Sequence, residues 1–216
     1  VSPDTLGDRV PLVHAVTNDE IVLRPDFLDR ARRVMHAGGS RVAVHVRAPH
    51  LGGRDLYELA CEVAKLQAET GAWAIVHDRG DIALASGARG VQLTSRSITP
   101  ADAVRFAPDL RIGASVHSQQ DARAAADGGA HWLVVAHVVQ DGSPSESDRG
   151  TAFVGSVARD HALPVIAIGG VRPEHVPALR AAGAYGVAVI RGVWNANDAG
   201  AALIDYLSAH GTSGGR

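Results

Sequence analysis

The sequence predicts a single α/β domain, a (β/α)8 TIM barrel, on three observations. Short runs rich in β-branched residues alternate with helix-like segments of about 10 to 18 residues along the chain, the mark of repeated βα units. About eight such pairs can be counted, and no linker divides them. No G-x-G-x-x-G follows the first strand, which argues against a doubly wound sheet.

The strands are expected, in order, at Pro11–Thr17 (PLVHAVT), Arg41–Arg47 (RVAVHVR), Ala72–His77 (AWAIVH), Gly90–Leu93 (GVQL), Leu110–Ser115 (LRIGAS), His131–Ala136 (HWLVVA), Pro164–Ile168 (PVIAI) and Tyr185–Ile190 (YGVAVI). Between the second and third lies a helix over Leu56–Thr70, where Leu56, Leu59, Ala60, Val63, Leu66 and Gln67 fall nearly on an i, i+3, i+4 face. Three later helices end in one punctuation, "ASGARGVQL", "ADGGAHWLVV" and "AAGAYGVAVI", with small residues and glycine just before a strand. That is a helix C-cap leading into a tight αβ turn. The domain is expected to span residues 1–210, with a disordered tail at 211–216.

Composition narrows the function. The chain has 216 residues and a formal net charge of −2, so no basic excess points to nucleic acid or an anionic membrane. Cys61 is the only cysteine and cannot form an internal disulfide. The start VSPDTLGDRV lacks the charged and apolar regions of an export signal, and no apolar run approaches the ~20 residues that span a bilayer. A cytoplasmic protein is expected, with no nucleic-acid and no membrane partner; a homo-oligomer is left open.

In such barrels the active site gathers at the C-terminal ends of the strands. The candidates there are Thr17 and Asn18, His45 and Arg47, His77 and Asp78, Gln92 and Thr94, Ser115 and His117, His137, Gly169 and Gly170, and Arg191 and Gly192. His137 follows an apolar strand and opens the polar stretch "VVQDGSPSESDRG", so a rigid strand would hold its imidazole beneath a loop. His131 and His161 are assigned no role. In "PVIAIGGVRPEHV" two glycines between strand and helix let N–H groups approach an anion, and "VIRGVWN" offers the second half of a phosphate site. A mere tight turn is the competing reading of the glycine pair. Asp78 is the one acidic residue directly at a strand end, Asp81 is placed to cap a helix instead, and no metal-binding motif is present. No catalytic metal is therefore expected.

These segments resemble the family of thiamine phosphate synthase and its relative, the TenI-type thiazole tautomerase. The resemblance runs over nearly the whole chain, through "LVHAVTND", "VAVHVR", "IVHDRGDIALASGARGVQL", "IGASVHSQQDA", "VVAHVV", "PVIAIGGVRPEHV" and "AGAYGVAVIRGVW". The synthases carry Q-x-R-x-K after the second strand, N-D after the third and a second metal-binding aspartate in H-x-G-Q-x-D. Here the matching residues are His45, Arg47 and Pro49, then His77 and Asp78, then Ser97. One pyrophosphate cation and one Mg²⁺ ligand are thus absent, which argues against synthase activity.

The H-x-R of His45 and Arg47, the S-V-H-S from Ser115 to Ser118, and "AHVV" with His137 resemble the tautomerase instead. That resemblance implies an isomerase in thiamin biosynthesis, converting the non-aromatic carboxythiazole phosphate tautomer to the aromatic form with no cofactor. His137 would be its acid/base, and a phosphorylated thiazole its small-molecule partner. Arg47 would pair with substrate carboxylate or phosphate, with Gly169, Gly170 and Gly192 giving backbone donors to phosphate. His45 and His77 would bind substrate, and Ser115 and His117 would line the ring pocket, though His117 could equally cap the following helix. Arg191 stands where relatives carry serine, pointing either into the phosphate site or to solvent. Asp141, Glu146 and Asp148, with Arg149, make the loop after His137 acidic, a poor cover for an anion. Two alternatives remain: a non-catalytic thiazole-phosphate-binding or regulatory protein, and a divergent thiamine phosphate synthase.

Overall fold

The computed structural model of the chain describes residues 9–140, 143–144 and 150–211. Eight of the apolar runs pair in parallel as a closed barrel: β1 (Val13–Val16), β2 (Val42–Val46), β3 (Trp73–His77), β4 (Gly90–Leu93), β5 (Arg111–Val116), β6 (Trp132–Val135), β9 (Val165–Ile168) and β10 (Gly186–Val189), with β10 closing on β1. The expected (β/α)8 architecture is what forms. The remaining strands, β7 (Val139–Gln140) and β8 (Ser143–Pro144), make a short antiparallel hairpin that the sequence did not predict.

The main helices α2 (Phe27–Gly38), α3 (Gly53–Thr70), α4 (Gly80–Ser86), α5 (Pro100–Phe106), α6 (Gln119–Asp127), α7 (Thr151–Asp160), α8 (Val176–Ala181) and α10 (Ala199–Gly211) connect or follow the strands, with one-turn helices α1 (Asp19–Val22) and α9 (Arg191–Trp194) at β1 and β10. Helix α10 runs through Gly211, past the expected domain end; residues 212–216 lie outside the described part. No helix among the described residues is long and apolar enough to cross a membrane.

The period-2 alternation of each strand divides its side chains between two cores. One set packs against the helices. The other fills the barrel with Val16, Ala43, Trp73, Ile75, Trp132, Val134, Ile166 and Ala188. Trp73 and Trp132 meet edge to face, with ring centroids 6.3 Å apart. Two indoles fit because β5 gives up its side chain at Gly113, where a Cβ would overlap both the Trp132 ring and Gln92 Oε1. Gly113→Ala is expected to destabilise the protein by about 1 to 3 kcal/mol, as overpacking does, lowering the urea midpoint without changing its slope.

The expected amphipathic face of α3 buries Leu56, Ala60, Val63 and Leu66. Gln67, placed on the same face, acts as a polar staple: its Oε1 accepts the N–H groups of Ala74 at 2.8 Å and Arg89 at 3.0 Å, and its Nε2 donates to the Gly87 carbonyl at 2.9 Å. It thereby ties β3 to the turn entering β4. The three recurring glycine turns are real C-terminal stops, since Gly87, Gly129 and Gly183 have φ of 73°, 87° and 109°.

Candidate active site

Because all eight barrel strands run the same way, their last residues share one mouth. A cavity of about 440 Å³ opens there, lined by His45, Arg47, His77, Ser115, His117, His137 and Gly169. An adjoining cavity of about 410 Å³ is lined by Gly170, Arg191 and Gly192, and the two share Ile168, Gly169, Ala188 and Ile190. Of the strand-end candidates, all but Thr17, Asn18 and Asp78 line one of these two adjoining cavities. Thr17 is buried, its hydroxyl donating to the His45 carbonyl at 3.0 Å, and the Asn18 side chain caps α1.

The glycine turn after β9 is built to expose amides. Gly169 and Gly170 have φ of 120° and 65°, and their N–H groups donate to no other described residue. A Cβ on Gly169 would sit 2.8 Å from the backbone nitrogen of His137, so only glycine lets the ends of β6 and β9 approach. Tyr206 on α10 braces this turn and the next. Its hydroxyl donates to the Val171 carbonyl at 3.0 Å and lies against Gly192, where a Cβ would overlap it. Burial, with Glu174 nearby, pushes the Tyr206 phenol up to about 12, so it stays a donor. Tyr206→Phe leaves a buried carbonyl unpaired and is expected to cost about 1 kcal/mol, read from urea unfolding.

Across the mouth the Arg47 guanidinium has no hydrogen-bond or ion-pair partner among the described residues. Asp78, just past the end of β3, adopts a φ of 59°. Its Oδ1 accepts from the Thr94 N–H at 2.9 Å, the Thr94 hydroxyl at 2.7 Å and the Ser97 hydroxyl. Burial alone would raise the Asp78 carboxyl, but the bonds from Ser97 and Thr94 outweigh it and hold the group below the usual carboxylate range.

Beneath them runs a chain of three imidazoles. His14 Nε2 meets the Pro11 carbonyl at 3.0 Å, His14 Nδ1 meets His45 Nε2 at 2.8 Å, and His45 Nδ1 meets His77 Nε2 at 2.9 Å. Burial pushes His14 down to about 4, against its bond to Pro11, and His77 down to about 3, against the adjacent Asp78. His45 falls well below the usual histidine range, by burial and then by its two histidine neighbours. Beside this chain, across β4 to β6, Trp132 Nε1–H donates to Gln92 Oε1 at 2.8 Å, and Gln92 Nε2 donates to the Ser115 hydroxyl at 3.1 Å.

His137 has a φ of 61° and an exposed imidazole bordering the cavity. His117 is also exposed; Ser118 and not His117 caps α6, accepting from Asp121 N–H at 3.0 Å. Asp81 does not cap α4: its carboxylate pairs with Arg79 at 2.6 Å. Arg191 is exposed, without a partner among the described residues. Asp141, Glu146, Asp148 and Arg149 lie outside the described residues. Sequence reasoning missed His14, which sits mid-strand; the signal was its parity with Val16, which turns both into the barrel.

The profile described as thiamine monophosphate synthase matches residues 13–193. The chain belongs to this family. It is 36% identical over 200 residues to the thiamine-phosphate synthase of Methanoculleus marisnigri, covering 90% of this chain and 94% of that one. The Pyrococcus horikoshii thiamine-phosphate synthase is 33% identical over 165 residues, or 74% of this chain and 78% of its own. In structure the chain superposes on the thiamine phosphate pyrophosphorylase of Pyrococcus furiosus with a TM-score of 0.81 and 27% identity, covering 97% of this chain and all of that one.

These relatives correct the expectation of an isomerase. Two bear the name thiamine-phosphate synthase and the third thiamine phosphate pyrophosphorylase, names of transferases, whereas the tautomerase reading rests on three short motifs and on the missing synthase lysine and aspartate. At the two positions where the synthase pattern is broken, Pro49 is exposed and uncharged, and Ser97 spends its hydroxyl on Asp78. A resident divalent metal does not fit this site. Asp78 is its one carboxylate, one oxygen of that group already takes three donors, and no group of three ligating side chains exists among the described residues.

Proposed function

We propose that the protein is a divergent thiamine-phosphate synthase, joining a pyrimidine pyrophosphate to a thiazole phosphate. The observation that carries this reading is two groups of hydrogen-bond donors without protein acceptors among the described residues at one mouth: the Arg47 guanidinium on one side and the amides of Gly169 and Gly170 on the other. A reaction between two phosphorylated partners needs two such groups of donors. The names of the relatives, which align along most of the chain, point the same way.

The thiazole phosphate takes the glycine turns and Gly192, where amide donors meet its oxygens. The pyrophosphate takes Arg47, whose planar fork matches two oxygens at once. The bond to the thiazole forms as the bond from the pyrimidine carbon to the pyrophosphate oxygen breaks, and pyrophosphate leaves with the bonding electrons. Arg47 stabilises the charge that collects on the departing group. Magnesium enters only as the counter-ion of the pyrophosphate substrate.

The loss of a cation at Pro49 and of a carboxylate at Ser97 favours one other reading, a thiazole-phosphate-binding protein without turnover. One experiment separates them. The purified protein is given a pyrimidine pyrophosphate and a thiazole phosphate with Mg²⁺, and thiamine phosphate and pyrophosphate are measured. Equimolar appearance of both is the expected result. Calorimetric binding of the thiazole phosphate without either product would replace the synthase by the binder.

A further inference from the structure

The chain from Trp132 through Gln92 to Ser115 has a direction set at its buried end. An indole nitrogen only donates, so the atom of Gln92 that lies 2.8 Å from Trp132 Nε1 is the amide oxygen. The amide is thereby held one way round, and its Nε2 hydrogens go to the Ser115 hydroxyl at 3.1 Å and to the Leu93 carbonyl at 3.4 Å. Trp132 and Gln92 are buried, whereas Ser115 is partly exposed and lines the cavity. Ser115 stands two residues beyond Gly113, where a Cβ would meet Trp132 and Gln92, so β5 turns both positions into the barrel. Having accepted from Gln92, the Ser115 hydroxyl keeps its own hydrogen, and that hydrogen goes to no other described residue.

We infer that Trp132 and Gln92 are positioning residues: they hold the Ser115 hydroxyl as a hydrogen donor toward the cavity, which selects a ligand ring with a lone-pair nitrogen at β5. The same cavity is lined by Val134, the neighbour of Ser115 on β6, and by Ile168 and Ala188. A flat ring suits such an apolar wall, and the one donor in it is satisfied by an acceptor on the ring. A ring C–H at that place leaves the hydroxyl hydrogen unpaired once water is displaced, and a ring N–H sets hydrogen against hydrogen. Turning the amide over would reverse the selection, since Gln92 Oε1 would take the Ser115 hydrogen and leave a lone pair facing the ligand. The Trp132 N–H is what forbids that flip. The inference rests on the proposed seat of the pyrimidine pyrophosphate in this mouth, and it names the part of the protein that tells the pyrimidine from a carbocycle.

The test is calorimetry of the whole protein with pyrimidin-5-ylmethyl pyrophosphate and with benzyl pyrophosphate, which differ only in the ring nitrogens. The unaltered protein should bind the pyrimidine about tenfold more tightly. Trp132→Phe, which removes the indole N–H at a place no ligand reaches, should lower that preference to about threefold or less by releasing the amide. Gln92→Met, a change of shape smaller still, should do the same. Ser115→Ala should abolish the preference and Ser115→Thr should retain it. Inorganic pyrophosphate, which has no ring, should bind Trp132→Phe and Gln92→Met as it binds the unaltered protein, a result that damage to the fold would not give. Equal binding of the two ring pyrophosphates by the unaltered protein would overturn the inference, and so would an undiminished preference in folded Gln92→Met. No arm needs turnover, so failure to form thiamine phosphate would count against the synthase reading alone.

Discussion

Arg47→Ala is expected to lower kcat/KM for thiamine phosphate formation by about 10²- to 10³-fold, the usual cost of removing one donor aimed at developing charge. The guanidinium is the only part of the residue that should be missed. Its backbone is held independently of the side chain: the Thr17 hydroxyl accepts the Arg47 N–H at 2.9 Å and approaches the Arg47 carbonyl at 3.1 Å. Because the side chain has no protein partner among the described residues, alanine leaves no buried charge unpaired, and circular dichroism should be unchanged. Arg47→Lys should recover only part of the rate, since an ammonium cannot match two pyrophosphate oxygens at once. Affinity for inorganic pyrophosphate, measured by calorimetry, should fall along with the rate. A loss smaller than about tenfold would move the pyrophosphate seat elsewhere in the mouth.

Acidification is expected to cost the fold at least about 3 kcal/mol between pH ~6.5 and ~4. The cause is His14, whose imidazole is fully buried and held at about 4 in the folded protein against 6.5 in the open chain. Between these values the unfolded chain binds a proton that the folded one does not. Stability therefore rises with pH across the window, is fully present above 6.5, and has been lost once the pH is below the folded value. His210, pushed down to about 4 by burial and by Arg180, acts with the same sign. Urea midpoints followed from pH 7 to pH 4 measure the effect. His14→Gln, which keeps a polar side chain but cannot titrate, should show a shallower pH dependence even if its stability at pH 7 is lower. Parallel curves for the two proteins would mean that His14 is already charged in the folded state.

The parts of this site that were legible in advance share a property. Arg47, Ser115, His137, Gly169, Gly170 and Gly192 each stand at or just past the end of an apolar run, and a parallel barrel brings all such ends together whatever the side chains are. Recognising eight runs was enough to gather them. Strand edges were less legible, β1 being expected from Pro11 and forming from Val13, because pairing with both neighbours decides where a ladder begins. The isomerase expectation failed for a different reason. It weighed three short motifs and the departures at Pro49 and Ser97, while likeness to synthases extends along the chain.

The sequence by itself determined the eightfold alternation, the glycine stops of the helices and the glycine pair after β9, since these depend on local backbone freedom and on periodicity that neighbouring residues define. Only the tertiary structure decided the contacts across strands. The link from His14 to His45 to His77 requires β1, β2 and β3 to be adjacent and three side chains to point inward at compatible heights. The capture of Asp78 by Ser97 and the bracing by Tyr206 of the segment after β9 join residues 19 and 35 positions apart. No periodicity encodes such pairings; they follow from the closure of the barrel, which sets strand neighbours and register together.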